Sequence, residues 1–393
     1  MVTRLPAGAL TVEDLAIEHE VAQAAASFRF VLDVTPVNVE EQRREFIQGR
    51  TTQPVFVYRE LEDDPHVVRA TLDAIDVDAV EDRALGYLLR AKLRELQLQL
   101  DMLRARGTPR FASLSEELYG TLDRSLLLQA ESILGQTRAP AGRGEECADA
   151  AQFAELAERE LAYYRAREPD IGVHVEIRPD VAGVMVSGDV LLISSATCVR
   201  SSRVQALLQH EVGTHLLTHV NGTFQPMRLL ATGLAGYEET QEGLAVLAEF
   251  LVGGLSTYRL RQLAARVIAA NEMMSGARFR DVHADLVSHG FSPHSAFTTT
   301  MRVFRSGGLT KDAIYLRGLL NLIGHLNAGG TLDLLWLGKL ALGELSQLEE
   351  LLKRGALDQP RLIPRYLDDP ATSIRLEEAA DLTDLAQLVG ATT

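Results

Sequence analysis

Cysteine is almost absent from this chain: Cys147 and Cys198 are the two in 393 residues. They make no C-x-x-C pair and too small a number for a disulfide framework, so a reducing cytoplasm is the expected compartment. Long apolar runs are missing, none reaching the roughly 18 residues of a transmembrane helix. Met1 to Glu20 carries acidic residues where a secretory leader has a basic and then an apolar block, so secretion is not expected. Positive charge is scarce, with 39 Lys and Arg against 54 Asp and Glu and a formal net charge of −15. Nucleic acid and anionic membrane both require a basic surface, so neither is expected as a main partner. Tryptophan occurs once, as Trp336 in Leu334-Leu335-Trp336-Leu337, which reads as core. Internal repeats and low-complexity blocks are also missing.

What remains is the composition of an ordinary globular protein, 46% hydrophobic and 24% charged, and a length sufficient for two or three domains or one elaborated domain. Residues 1 to about 135 read as mostly helical. A helix start stands at Thr11-Val12-Glu13-Asp14 and a long amphipathic segment runs from Val80 to Arg106, with a short β-prone stretch, Pro54 to Tyr58, between them. Thr137 to Gly144 reads as a linker. A helix from Ala148 to Arg167 precedes the alternating stretch Val173 to Ile177. Two further β-prone runs, Gly183 to Ser187 and Val190 to Ser194, flank a Gly188-Asp189 turn and predict a hairpin. Helices follow at Ser202 to Val220, Tyr237 to Leu251, Thr257 to Asn271, Asp312 to Gly324 and Ser346 to Arg354.

The chemistry-bearing stretch is His210-Glu211-Val212-Gly213-Thr214-His215. Two imidazoles flanking a carboxylate suit a metal that activates water: zinc takes neutral imidazole nitrogens, and a nearby carboxylate accepts the water's proton. The familiar spacing is H-E-x-x-H. Here it is one residue longer, and residues five apart on a regular helix diverge by about 140°. A π-bulge around Val212 to Thr214 would absorb the extra residue, with Gly213 easing the backbone. The pair His215 and His219 has the better regular spacing, but it leaves Glu211 a turn away from the first ligand. His219 is therefore expected as a cap or as support for the ligands. A third ligand should come from the Tyr237 to Glu249 segment. Glu242 lies among small apolar neighbours, where a buried carboxylate needs a cation; Glu238, a turn earlier, could bond a ligand histidine. Glu239 and Glu249 read as solvated charges. The plain alternative is a helix carrying histidines and an exposed glutamate.

The strings HEVGTH, LTHVNG, QPMRLLATGLAGYEETQEGLAVLAEFLVGGL, RLRQLAARVIAA and AFTTTMRVFRSGGLTKDAIYLRGL resemble the QEGLA-motif family. That family is related to the microtubule-associated tyrosine carboxypeptidases, metallopeptidases with an H-E-x-x-x-H site. The likeness runs from about Ala148 to Tyr366. It implies Zn2+ held by His210, His215 and Glu242, with Glu211 as general base and proton shuttle. It carries over no substrate, since acidic tubulin tails would be repelled by a chain of this charge unless a local basic patch compensated.

A carboxypeptidase needs a cation for the terminal carboxylate. The block Arg302 to Asp312 offers Arg302, Arg305 and Lys311 around glycines expected to allow close substrate approach; alternatively, the arginines pair with acids of this acidic chain. Tyr315 could donate to a tetrahedral oxyanion. Asn221-Gly222 and Gln225-Pro226 are expected as a turn beside the cleft. The Val190 to Ser194 strand is the expected edge for an extended peptide. These readings combine into a mainly helical α+β fold, a zincin-like core with a small antiparallel sheet beside the metal helix. A helical region, 1–145, precedes a catalytic domain, 146–393. The expected activity is cytoplasmic zinc carboxypeptidase action on peptide or protein C-termini. The competing readings are a regulatory or binding protein with a structural or vestigial metal site, and a non-peptide amide or ester hydrolase.

Overall fold

The computed structural model describes residues 9–138 and 146–390. Most of the Thr137 to Gly144 linker and the first eight residues of the Met1 to Glu20 stretch lie outside the described residues. The architecture is mainly helical. Thr11 caps the first helix (Val12–Ser27), its hydroxyl accepting from the Asp14 N–H at 3.0 Å, as a threonine ahead of an acidic first turn should. The long amphipathic segment is the helix Arg83–Arg104, capped by Asp82 and burying Leu85, Leu88, Leu89, Leu96 and Leu100 along one stripe. Pro54 to Tyr58 is not a strand. Among the described residues no strand pairs with it; the backbone N–H groups of Val55 and Val57 are satisfied instead by the side chains of Gln42 and Asn38.

Among the described residues, five short strands form two sheets. β1 (Cys147–Asp149) pairs antiparallel with β5 (Cys198–Arg200). β2 (His174–Arg178), β3 (Val184–Ser187) and β4 (Val190–Ser194) form a sheet in the order β2-β4-β3. The β3–β4 hairpin is antiparallel, as its Gly-Asp turn predicts, whereas β2 adds to β4 in parallel. Val190 to Ser194 is consequently the central strand and not the edge; β3 is the edge that lies against the site helix.

Pairing of β1 with β5 brings Cys147 and Cys198 together, and they form a disulfide. The reading of two cysteines as too few for a disulfide framework missed this single bridge, because a separation of 51 residues conceals the strand pairing. The reducing-compartment reading loses the ground it stood on. Among the described residues no helix is long and apolar enough to cross a membrane.

The site helix occupies 204–223, sandwiched between two apolar clusters. One cluster joins it to the sheet and to the helix Ala150–Arg165, through Phe153, Leu161, Leu191, Ile193, Val212 and Leu216. The other is the large helical core. It includes Leu85 and Leu126 from before the expected boundary at 145 and Leu244, Leu263 and Trp336 from after it. Trp336 is core, as expected.

Candidate metal centre

Three segments make up the site helix: α-helical Val204–His210, π-helical Glu211–Leu216 and α-helical Leu217–Thr223. The extra residue between the histidines is taken up as a π-turn at the expected place. The Thr214 hydroxyl donates to the Gln209 carbonyl five residues back, at 3.1 Å, bracing the wide turn. Gly213 has a steric role there and not a conformational one. A Cβ would fall 2.4 Å from Gln209 Oε1 and 3.2 Å from the Tyr366 ring.

The π-turn brings His210 and His215 to one side, with ring centroids 5.1 Å apart. Glu242 reaches in from the helix Tyr237–Leu251, its Oε2 lying 3.8 Å from Nε2 of each histidine. One ligand atom from each of the three residues falls within 4.8 Å of the others. Two nitrogens on a tetrahedral zinc sit about 3.4 Å apart, so this spacing suits a shared ion. Glu242 Oε2 is buried and has no hydrogen-bond partner, an expensive state for a carboxylate that a cation would relieve. The donor set of two imidazoles and one carboxylate is one that zinc favours.

Glu242 is positioned by a close helix crossing. A Cβ on Gly243 would lie 2.3 Å from the Gly318 carbonyl carbon of the helix Ile314–Asn327, and a Cβ on Gly318 would lie 2.0 Å from the Glu239 carbonyl oxygen. This approach sets Tyr315, one turn before Gly318, against Glu242. Burial would raise the Glu242 carboxyl, but His215, His210 and Lys311, with the tyrosine hydroxyl, hold it below its ordinary value.

Glu249 is the functional residue that the sequence concealed. It is 1% exposed, not solvated, and its Oε1 accepts from His210 Nδ1 at 2.9 Å. Arg203 and Arg259 donate to the same carboxylate at 2.7 and 3.2 Å. Burial opposes its charge, yet Arg259, His210 and Arg203 hold its carboxyl far below the ordinary range. A proton fixed on Nδ1 leaves the His210 Nε2 lone pair facing Glu242. Gln241 is the second concealed residue: it lies beside the His215 ring, whose pKa it raises, and accepts from the Thr218 hydroxyl at 2.9 Å. Burial, opposed by Glu242, lowers His215 to about 4, which keeps it neutral. Glu211 is buried beside His210, and burial raises its carboxyl to about 7. A cavity of about 410 Å³ opens against His210 and Glu211, walled by Arg200, Arg203, Tyr258 and Arg259.

Other expected members stand elsewhere. Glu238 pairs with Lys311 at 2.5 Å, not with a ligand histidine. His219 is outside the three-residue cluster; its Nδ1 meets the Ala231 carbonyl at 3.1 Å and its Nε2 faces Asp189 in the hairpin turn at 3.3 Å. The Arg302 fork is taken by Asp312, with Nη2 to Oδ1 at 2.6 Å and Nε to Oδ2, so it offers no open fork to a substrate. Arg305 is buried and donates to Thr35 at 3.3 Å. The glycines of that block serve packing: a Cβ on Gly307 would meet the Thr108 carbonyl oxygen at 2.5 Å. Asn221 does not line a cleft; it clamps Trp336 and Leu362 through their backbone carbonyls at 2.8 and 2.7 Å.

The Microtubule-associated tyrosine carboxypeptidase family model matches residues 44–382, reaching well into the N-terminal third where no likeness was read from the sequence. Microtubule-associated tyrosine carboxypeptidase 1 of Mus musculus is 29% identical over 189 residues, covering 45% of this chain and 39% of the relative. The Homo sapiens protein of the same name is 28% identical over 191 residues, covering 46% and 39%. These alignments therefore span about two fifths of the relatives' own length. With the family model extending over most of its length, the chain belongs to the microtubule-associated tyrosine carboxypeptidase family.

Proposed function

We propose that this chain is a zinc-dependent carboxypeptidase that removes C-terminal residues from peptides or proteins. The observation that carries the reading is the buried, unpartnered Glu242 Oε2, equidistant from two imidazole nitrogens at 3.8 Å. His210, His215 and Glu242 would hold the ion. His219 is engaged by Ala231 and Asp189, which favours three protein ligands and an open position over the closed shell of a structural site. When bound, zinc supplies Lewis acidity and a water of lowered pKa.

The chain's own groups then have separable tasks. Glu211, next to His210 and facing the cavity, accepts the water proton at its carboxylate and returns it to the leaving amine. Glu249 keeps the His210 ring in one tautomer and one orientation. Tyr315, set against Glu242, stands at the rim of the ligand set and is assigned as the donor to the oxyanion. The exposed edge of β3, beside the π-turn, replaces β4 as the strand available to an extended peptide.

Metal analysis of protein purified without added zinc should give about one zinc per chain, lost in His210→Ala. Glu211→Gln should keep the metal and lose hydrolysis of a C-terminally diverse peptide pool. Metal-free protein, or undiminished hydrolysis by Glu211→Gln, would overturn the proposal.

A further inference from the structure

The three basic residues of the Arg302 to Asp312 block are spent on Asp312, Thr35 and Glu238, which leaves the substrate's carboxylate without the cation expected for it. A different arginine stands free at the right place. Arg266 lies on the helix Thr257–Met274, seven residues after Arg259. Seven residues return to within about 20° of the same helix face, so both point to the wall occupied by Tyr315. The guanidinium carbon of Arg266 lies 4.8 Å from the Tyr315 ring centroid, and that of Arg259 lies 5.9 Å away. Arg259 is committed to Glu249. Arg266 has the tyrosine face and, among the described residues, no hydrogen-bonded carboxylate.

Charge makes this arrangement informative. Arg203, Arg259, Arg266 and Arg302 face two carboxylates, Glu249 and Asp312. The wall thus keeps a surplus of positive charge inside a chain of net −15. A divalent ion held by the proposed ligands would balance Glu211 and Glu242 and leave that surplus in place. Burial and the neighbouring Arg302 charge lower the Arg266 guanidinium to about 10, which leaves it protonated at neutral pH. A half-buried cation without a hydrogen-bonded anion of its own is costly unless a ligand completes it. Its nitrogens are not among the fully enclosed unpartnered atoms, unlike Nε of Arg261, Arg305 and Arg354.

The order of the groups also fits. In a substrate cleaved at its last peptide bond, the terminal carboxylate lies one residue beyond the scissile carbonyl, about 3.8 Å along the chain. Tyr315 links the two places in the protein: its hydroxyl acts on the ligand Glu242 and its ring faces Arg266. We propose that Arg266, stacked on Tyr315, receives the terminal carboxylate of the substrate and thereby restricts cleavage to the chain end. A planar fork matches a carboxylate bidentately, which a lysine in its place would not.

This inference rests on the carboxypeptidase reading, and its test separates the two. The probes are dansylated Gly-Gly-X tripeptides, X being each of the twenty residues, prepared as free acids and as C-terminal amides. For wild type, the free acid of the best X should be cleaved with a kcat/KM at least tenfold above its amide. Arg266→Gln should raise KM for the acid by about 30-fold or more, with kcat within a few-fold, and bring the acid-to-amide ratio close to one. Arg266→Lys should recover part of the preference. A merely structural arginine predicts a different pattern, with equal losses on acid and amide and a lowered melting temperature; that pattern overturns the proposal.

Binding of the same probes to Glu211→Gln, with and without Arg266→Gln, gives the independent readout. An Arg266-dependent preference for acids without any cleavage by wild type sustains the anchor and removes the peptidase reading. Cleavage by wild type with no Arg266-dependent acid preference sustains the peptidase and removes the anchor. Absence of both removes both.

Discussion

The carboxylate of Glu249 accepts from three side chains, His210, Arg203 and Arg259, and this saturation decides which His210 nitrogen carries the proton. Glu249→Gln should weaken zinc binding by about 10- to 100-fold, the usual cost of removing a partner that orients a ligand histidine. Competition with a chromogenic chelator measures it, and wild-type affinity would show that Glu249 does not orient the ligand. Glu249→Ala should be worse for the fold, since it leaves Arg203 and Arg259 buried without a counter-charge, a loss of about 3–5 kcal/mol in chemical denaturation. His210, Glu211, His215 and Glu242 were legible in the sequence because residue type and spacing carry their chemistry. Glu249 was not: its role comes from partners 39, 46 and 10 residues away, and a glutamate near a helix end reads as solvated until they are known. Arg302 failed in the opposite way. Two arginines beside glycines suggest an anion site, but Asp312, ten residues on, answers the first of them from inside the chain.

At the scale of elements, the π-turn was legible as a misfit: two histidines five apart must share a face if they share an ion. The order of the strands was not, because β-prone runs reveal pairing only where a tight turn joins them, as it does between β3 and β4. β2 reaches β4 by parallel addition across the hairpin, and that displaces β4 from the edge. The crossing of the Glu242 helix with the Tyr315 helix was also hidden, since a glycine inside a helical run does not announce its partner. Gly243→Ala puts a methyl group 2.3 Å from the Gly318 backbone, where no flexible side chain can yield. The helices should part, costing about 1–3 kcal/mol in thermal or urea denaturation. Separation of Tyr315 from Glu242 should also lower zinc affinity measurably. Wild-type stability with wild-type metal affinity would show that the close crossing is not what sets the site. By contrast, a Cβ on Gly213 meets the end of the Gln209 side chain, which can swing away, so Gly213→Ala should be the milder substitution in the same assays.

Across the whole molecule, the helical region ahead of residue 145 shares its core with the rest, and it touches the site's support through a buried acid. Glu18, fully buried on the first helix, accepts from the Leu229 N–H at 2.7 Å, beneath the segment that leads from the site helix to the Glu242 helix. Its second oxygen has no hydrogen-bond partner; the His19 ring is 3.6 Å away. Burial dominates and raises this carboxyl from 4.5 to about 7, against the backbone N–H groups of Leu229 and Arg228, which pull it down. The sign follows directly. Between pH 4.5 and about 7 the folded chain holds a proton on Glu18 that the unfolded chain releases, so folding is favoured at the acid end and loses that contribution as pH rises through about 7. Glu344, also buried and raised to about 7, acts in the same direction, whereas Asp312, held well below the ordinary range by Arg302, loses its contribution only in acid. A comparison with Glu18→Gln isolates the one group. The amide oxygen keeps the bond from Leu229 and carries no charge to bury, so the variant should match wild type near pH 4.5 and exceed it at pH 8, by roughly 3 kcal/mol at most. Urea denaturation across that range reads the difference; parallel profiles for the two proteins would show that the proton on Glu18 is not linked to folding.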